Sequence, residues 1–244
     1  MSTTNAHGQR IGRSIDWSTR PEPQPVVLEG AGVRLEPLAD QHVDDLMAAV
    51  AREDDDALWT YLSWERPQDA GEMSAIVAEL TTKLGTVPFA IVARETGTAV
   101  GFCSLMRIDP AMGSVEVGGI AFGRQLQRSR AATETMYLLM RHAFDDLGYR
   151  RYEWKCDSLN QPSRRAAVRL GFIWEGRFRN ALVYKGRNRD TDWFSITDGE
   201  WPRVRRALED WLDDRNFDAA GRQRVRLAAR PPQQEGQQSA PQEQ

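Results

Sequence analysis

The spacing of apolar positions changes several times along the chain, and each change predicts an element. Val33-Arg34-Leu35-Glu36-Pro37-Leu38 alternates as a strand with one buried face does. Asp40 then caps a helix running to Val50, with Val43, Leu46, Met47 and Val50 on one face. A second helix is predicted over residues 70–84. Residues 89–93 and 99–107 flank Glu95-Thr96-Gly97-Thr98, which reads as a hairpin. Next comes Val115-Glu116-Val117-Gly118-Gly119-Ile120-Ala121-Phe122, β-rich and carrying a glycine pair. Ala132, Met136, Leu139, Met140, Ala143, Phe144 and Leu147 recur at helical spacing, and Gly148 closes that run. Tyr152, Trp154 and Cys156 alternate with charged neighbours as another strand. A short helix follows and stops at Gly171. Strands over 181–185 and 191–196, joined through residues 186–190, precede a last amphipathic helix marked by Trp201, Val204, Leu208, Trp211 and Leu212.

With 244 residues and 41% hydrophobic content, the chain can bury one full core. The pattern divides it into an N-terminal tail at 1–25, a single domain at 26–215 and a polar, Gln/Pro-rich tail at 216–244. The last tail, above all from Pro231 onward, holds too little apolar surface to offset its ordering entropy. A net charge of −3 argues against a general nucleic-acid binder. Cys103 and Cys156 are too few for a disulfide framework or a zinc site, which fits a reduced cytoplasm. No apolar run suggests a secretory signal or a membrane span.

Candidate chemistry centres on Gln127-Arg128-Ser129-Arg130-Ala131-Ala132, between the glycine-paired strand and the helix after it. A strand–turn–helix junction directs free backbone N–H groups and the positive helix end at one spot, which suits a phosphate. Arg124, Arg128 and Arg130 add charge, and a solvated basic turn explains them equally well.

A second segment carries Asn160-Gln161-Pro162-Ser163, then Leu170-Gly171-Phe172, then Glu175-Gly176. Together the two segments, over about residues 33–196, resemble the GNAT acyl-CoA N-acetyltransferases. The likeness is greatest to the branch of ribosomal-protein N-terminal (RimJ/RimL-like) acetyltransferases. In that family the turn reads Q/R-x-x-G-x-G/A and cradles the coenzyme A pyrophosphate. Gln127 and Ala132 fit its first and last positions, while Arg130 stands where glycine is usual. The resemblance implies an α/β (α+β) fold, with a mixed, mostly antiparallel sheet of about seven strands and helices on both faces. It also implies acetyl-CoA as co-substrate, with no metal.

Under the resemblance, Ile120, Ala121 and Phe122 border the pantetheine arm, and residues 127–132 (Gln127, Arg128, Ser129, Arg130, Ala131, Ala132) receive the pyrophosphate. Asn160 bonds the pantetheine amides, and Ser163 lies near the sulfur. The tyrosine many members place four residues before the helix-ending glycine is Ala167 here. Glu116, two residues before Gly118, is the candidate general base, and the alternative is a solvent-facing strand carboxylate. Asn160 also serves as an N-cap, with Ser163 in the first turn. His142 reads as a packing or surface residue, and Arg164, Arg165 and Arg169 as a solvated face from which one could reach a nucleotide phosphate. Trp59, Tyr61, Trp64, Tyr184 and Trp193 either enclose an acceptor amine or form core. Asp54-Asp55-Asp56 either attracts a cationic acceptor or forms a solvated loop. Two functions follow: an acetyl-CoA-dependent N-acetyltransferase acting on a protein N-terminus or small amine by direct transfer, or a catalytically weak or inactive acyl-CoA-binding module of the same fold. Neither implies a nucleic acid or membrane partner, and both are compatible with a homodimer.

Overall fold

A computed structural model describes residues 3–227 and 229. Two short strands, β1 (Thr3–Thr4) and β2 (Arg10–Ile11), form an antiparallel hairpin apart from the main sheet. The body then runs β3 (Leu28–Glu29), β4 (Val33–Pro37), α1 (Val43–Val50), α2 (Asp56–Trp59), α3 (Ala70–Thr82), β5 (Thr86–Ala93), β6 (Ala99–Asp109) and β7 (Ser114–Phe122). It continues with α4 (Arg130–Arg141), β8 (Arg151–Asp157), α5 (Gln161–Arg169), β9 (Ile173–Tyr184), β10 (Arg187–Thr197) and α6 (Trp201–Leu212).

Among the described residues eight strands, rather than about seven, form the main sheet in the order β3-β4-β5-β6-β7-β8-β10-β9; the short β3 is the easiest to miss in a sequence. Every pairing is antiparallel except β7 with β8. Side-chain alternation splits the core into two layers. From β5, Phe89 and Ile91 enter the layer under α4 and α6, with Val115, Val117, Met136, Leu139 and Leu208. Ala90 and Val92 enter the opposite layer with Leu46, Trp59, Met73 and Leu80 from α1, α2 and α3. A central strand covered on both faces needs apolar residues at successive positions, as β5 has.

Several boundaries differ from those predicted. Asp40 does not cap α1; it opens a 3₁₀ turn, Asp40–His42, and the helix begins at Val43. The predicted helix to Leu147 is α4 followed by a π turn, His142–Asp146, in which the Leu147 N–H reaches the His142 carbonyl at 3.0 Å. His142 is buried there, with Nδ1 2.9 Å from Asp146. The link between the last strands is shorter than residues 186–190. Lys185 (φ 49°) and Gly186 (φ 69°) make a two-residue turn, and the irregularity between Arg189 and Thr191 is a bulge.

Both predicted tails hold folded residues. The Trp17 indole N–H donates to the Ala111 carbonyl at 2.7 Å, and its ring packs on Gly113 so closely that any Cβ there would overlap it. The Tyr149 hydroxyl donates to the Pro21 carbonyl at 3.1 Å. At the other end Asn216 is buried: its amide donates to the Trp211 carbonyl at 2.9 Å and its oxygen accepts from the Val225 N–H at 2.8 Å. Residues 216–227 therefore extend the domain past the predicted boundary. Single aromatic and amide anchors dock these stretches without any periodic pattern. The Pro231-onward tail lies outside the described residues.

Candidate active site

The parallel pairing of β7 with β8 sets the geometry of the site. It covers only residues 114–117 of β7, opposite 151–154 of β8. Beyond Val117 the two strands part, and β7 keeps only its β6 partners. Just past that point β7 bulges: Ser104 faces Gly118 and Phe102 faces Ala121, so Gly119 and Ile120 oppose Cys103 alone. Gly119 takes a φ of +57°, a value that favours glycine, and a Cβ at Gly118 would stand 2.7 Å from Met106 Sδ. A cleft of about 1690 Å³ opens at the parting of the strands. It runs from Glu116 and Gly118 past Ile120 and Phe122 to residues 127–130 at the start of α4.

At the inner end sits Glu116, buried at 7% exposure rather than facing solvent. Lys155 Nζ lies 2.8 Å from Glu116 Oε2, and Arg107 Nε lies 3.4 Å from the same oxygen. Lys155 also pairs with Glu153 at 2.7 Å and sits 3.6 Å from the centre of the Trp193 ring. Both cations engage Oε2, which leaves Oε1 on the Gly118 side of the carboxylate, without a hydrogen bond among the described residues. Burial pushes the Glu116 carboxyl above its usual range, against the opposing pull of Lys155 and Arg107.

Across the cleft, Asn160 caps α5, its side-chain oxygen accepting from the Ser163 N–H at 3.1 Å. The Ser163 hydroxyl oxygen accepts from the Trp154 indole N–H at 2.9 Å, which leaves its own proton to donate. Cys156 also lines the cleft, but burial pushes its thiol up to about 11, with the Ser163 hydroxyl acting in the other direction. Cys103 is fully buried and its thiol is raised further. Neither offers a thiolate at neutral pH.

Ser129 caps α4, its Oγ accepting from the Ala132 N–H at 3.0 Å. Arg128 takes a φ of +58°, and Gln127 ties the turn back to the Phe122 carbonyl at 2.8 Å. Ile120, Phe122, Gln127, Arg128, Ser129, Arg130, Ala132 and Asn160 all line the cleft with Glu116 and Ser163. Ala121 instead turns into the core under α1, α2 and α3, and Ala131 packs on the opposite core layer.

The arginines are not one basic cluster. Arg124 is held by Asp54 at 2.7 Å and Asp55 at 2.8 Å, and Asp56 holds Arg66 at 2.6 Å. The acidic run thus anchors arginine side chains of its own fold. Arg130 turns its guanidinium onto Asp214 at 2.7 Å and over the Phe217 ring. Of Arg164, Arg165 and Arg169, the last two are exposed, as a solvated face requires, while Arg164 is half-buried. Arg164 pairs with the fully buried Asp192 at 2.8 Å, Arg169 donates to Thr133 at 3.0 Å, and Arg165 lines the cleft.

Among the candidate aromatics, Tyr61, Trp64 and Trp193 line the cleft. Trp59 is core, its indole N–H donating to the Val50 carbonyl, and the Tyr184 hydroxyl donates to Asp157. Lys155 and Arg107 are absent from the sequence-based candidates. Their proximity to Glu116 depends on the β7–β8 register and on β6 pairing, which no local pattern carries.

No helix among the described residues is long and apolar enough to cross a membrane. A family model described as an acetyltransferase (GNAT) domain matches residues 33–173. The N-acetyltransferase p20 of Bacillus licheniformis is 30% identical over 132 residues, 54% of this chain and 74% of that protein. A GCN5-related N-acetyltransferase structure from Brucella melitensis shares 46% identity at a TM-score of 0.85, covering 87% of this chain and 96% of that one. RimL, a ribosomal L7/L12 α-N-protein acetyltransferase solved with coenzyme A, shares the fold at 20% identity and a TM-score of 0.61, over 71% of this chain and 99% of its own. A family match over more than half of the chain, on a sheet splayed in this way, makes this protein an acyltransferase of the GNAT acetyltransferase family.

Proposed function

We propose that the protein moves an acetyl group from acetyl-CoA directly to an amine, with a protein N-terminus as the preferred acceptor. One arrangement carries this reading: a single cleft joins the unpaired edge of β7, a buried carboxylate at its inner end and the capped N-terminus of α4. Acetyl-CoA supplies an activated acyl group on a thiol leaving group. Residues 118–122 have no strand partner on the β8 side, so their backbone can hold the amides of an extended arm. The Leu126 carbonyl and the Ser129 hydroxyl take the Ser129 and Ala132 N–H groups, so Arg130 and Ala131 present the helix N–H groups to a pyrophosphate, and Arg128 adds charge. Arg130 keeps its backbone N–H in that turn, so its side chain need not enter the cleft.

Glu116 takes the proton from the acceptor ammonium at Oε1, directly or through a water, and Lys155 holds the other oxygen. A β7 N–H freed at the bulge polarises the carbonyl. Ser163 keeps an O–H for the departing sulfur, the task that the missing tyrosine at Ala167 would otherwise perform. Direct transfer is favoured over an acyl-enzyme because burial leaves both cysteines as thiols. A protein N-terminus fits a cleft wider than one small amine needs, with Tyr61, Trp64, Phe178, Leu182 and Trp193 along its walls. RimL, the fold neighbour solved with coenzyme A, acts on such a terminus. The alternative, an inactive binding module, takes its support from Arg130 and Ala167 at two positions where the family pattern differs. Incubation with acetyl-CoA and a panel of amines and N-terminal peptides separates the two. Transferase action releases CoA in step with acetylated acceptor, whereas a module binds and releases nothing.

A further inference from the structure

Arg130 is the main departure from the phosphate-turn pattern, and its side chain has another partner. Its guanidinium pairs with Asp214 at 2.7 Å, hydrogen-bonds the Leu212 carbonyl and lies 4.5 Å from the centre of the Phe217 ring. Phe217 meets the Trp211 ring edge-on at 5.2 Å, and the Trp211 indole N–H donates to Gln223 at 2.9 Å. Arg169 lies over Trp211 at 4.7 Å and returns to α4 through Thr133. The contacts thus run from α4 through the C-terminal segment to α5 and back. Phe217, Gly221, Arg222 and Gln223 line the same cleft as Ser129 and Ala132. All four lie beyond residue 173, where the family match ends.

We propose that residues 214–224 form a wall of the donor site and recognise the nucleotide end of CoA, with Arg130 fastening the wall in place. The inference rests on the acetyl-CoA reading above. With the thioester beside Glu116 and Gly118 and the pyrophosphate at residues 129–132, the 3′-phosphoadenosine must lie farther along the cleft. There it meets Phe217, whose ring keeps one face for a base while Arg130 lies over the other, together with Arg169 and with Arg222, a guanidinium that Asp218 orients at 2.9 Å. The guanidinium at position 130 thus serves the donor site by holding Asp214 and Phe217 in place.

Calorimetric titration of the full chain with CoA and with pantetheine, which lacks the nucleotide, tests this. The variants are Phe217→Ala and Asp214→Ala; the Asp214 side chain is 92% exposed, so that variant should fold even if the first does not. The preference for CoA over pantetheine, read as the ratio of the two affinities, should fall about tenfold in Phe217→Ala and by a smaller factor in Asp214→Ala. An unchanged ratio in both folded variants, or equal losses for both ligands, overturns the proposal. A wild-type protein that binds no CoA overturns the donor reading itself, and this inference with it.

Discussion

Glu116 combines burial with two cations on one carboxylate oxygen, and that combination determines its behaviour. Glu116→Gln keeps shape but cannot take a proton, so kcat at neutral pH should fall by about 10²- to 10⁴-fold. The defect should shrink as pH rises, since more acceptor amine is then already deprotonated. Ser163→Ala should lose rate in a way that alkaline pH rescues less, because the missing group is a donor to the leaving sulfur. Lys155 gives the sharper test of direction. Its charge favours ionised Glu116, so Lys155→Met should raise that carboxyl further. A base works only when deprotonated, so the acidic limb of kcat/KM should move to higher pH. A pH–rate profile with an unmoved limb would mean that Lys155 does not set the ionisation of the base. Glu116 was legible as a candidate because it lies two residues before a glycine pair. Its burial was not, because a charged residue between Val115 and Val117 reads as the wet face of a strand until the neighbouring strands are known.

At the scale of elements, the start of α4 combines a side-chain cap, a left-handed Arg128 and free N–H groups within one turn. Ser129→Ala removes the cap on the Ala132 N–H and should cost about 1 kcal/mol of stability by denaturant titration. Arg128→Glu should abolish the rise in Tm that CoA gives, while leaving the ligand-free Tm nearly unchanged, because its side chain makes no ion pair among the described residues. An equal CoA-induced shift in wild type and variant would place the phosphates elsewhere. Element order was largely readable, since α4, α6 and β8 carry clear 3.6- or 2-residue periods. The π turn, the 3₁₀ turn and the Lys185-Gly186 hairpin were not. Each is too short to show a period of its own.

Across the whole molecule, segments far apart in sequence close over one another. Trp17 seals the loop at Gly113, and Asp214 and Phe217 reach the start of α4 through Arg130. Trp17→Ala should lower Tm, through lost burial and a lost indole hydrogen bond, without changing kcat, because Trp17 does not line the cleft. The central claim is that one cleft binds acetyl-CoA and moves its acetyl group to an amine. The most direct measurement follows, by mass spectrometry and thiol release together, the purified chain with acetyl-CoA and a panel of N-terminal peptides and small amines. Acetylated acceptor and free CoA should appear in equal amounts, be lost together in Glu116→Gln, and be largest for a peptide N-terminus. Tight CoA binding with no acetylated acceptor across the panel, or equal turnover in Glu116→Gln, would contradict it.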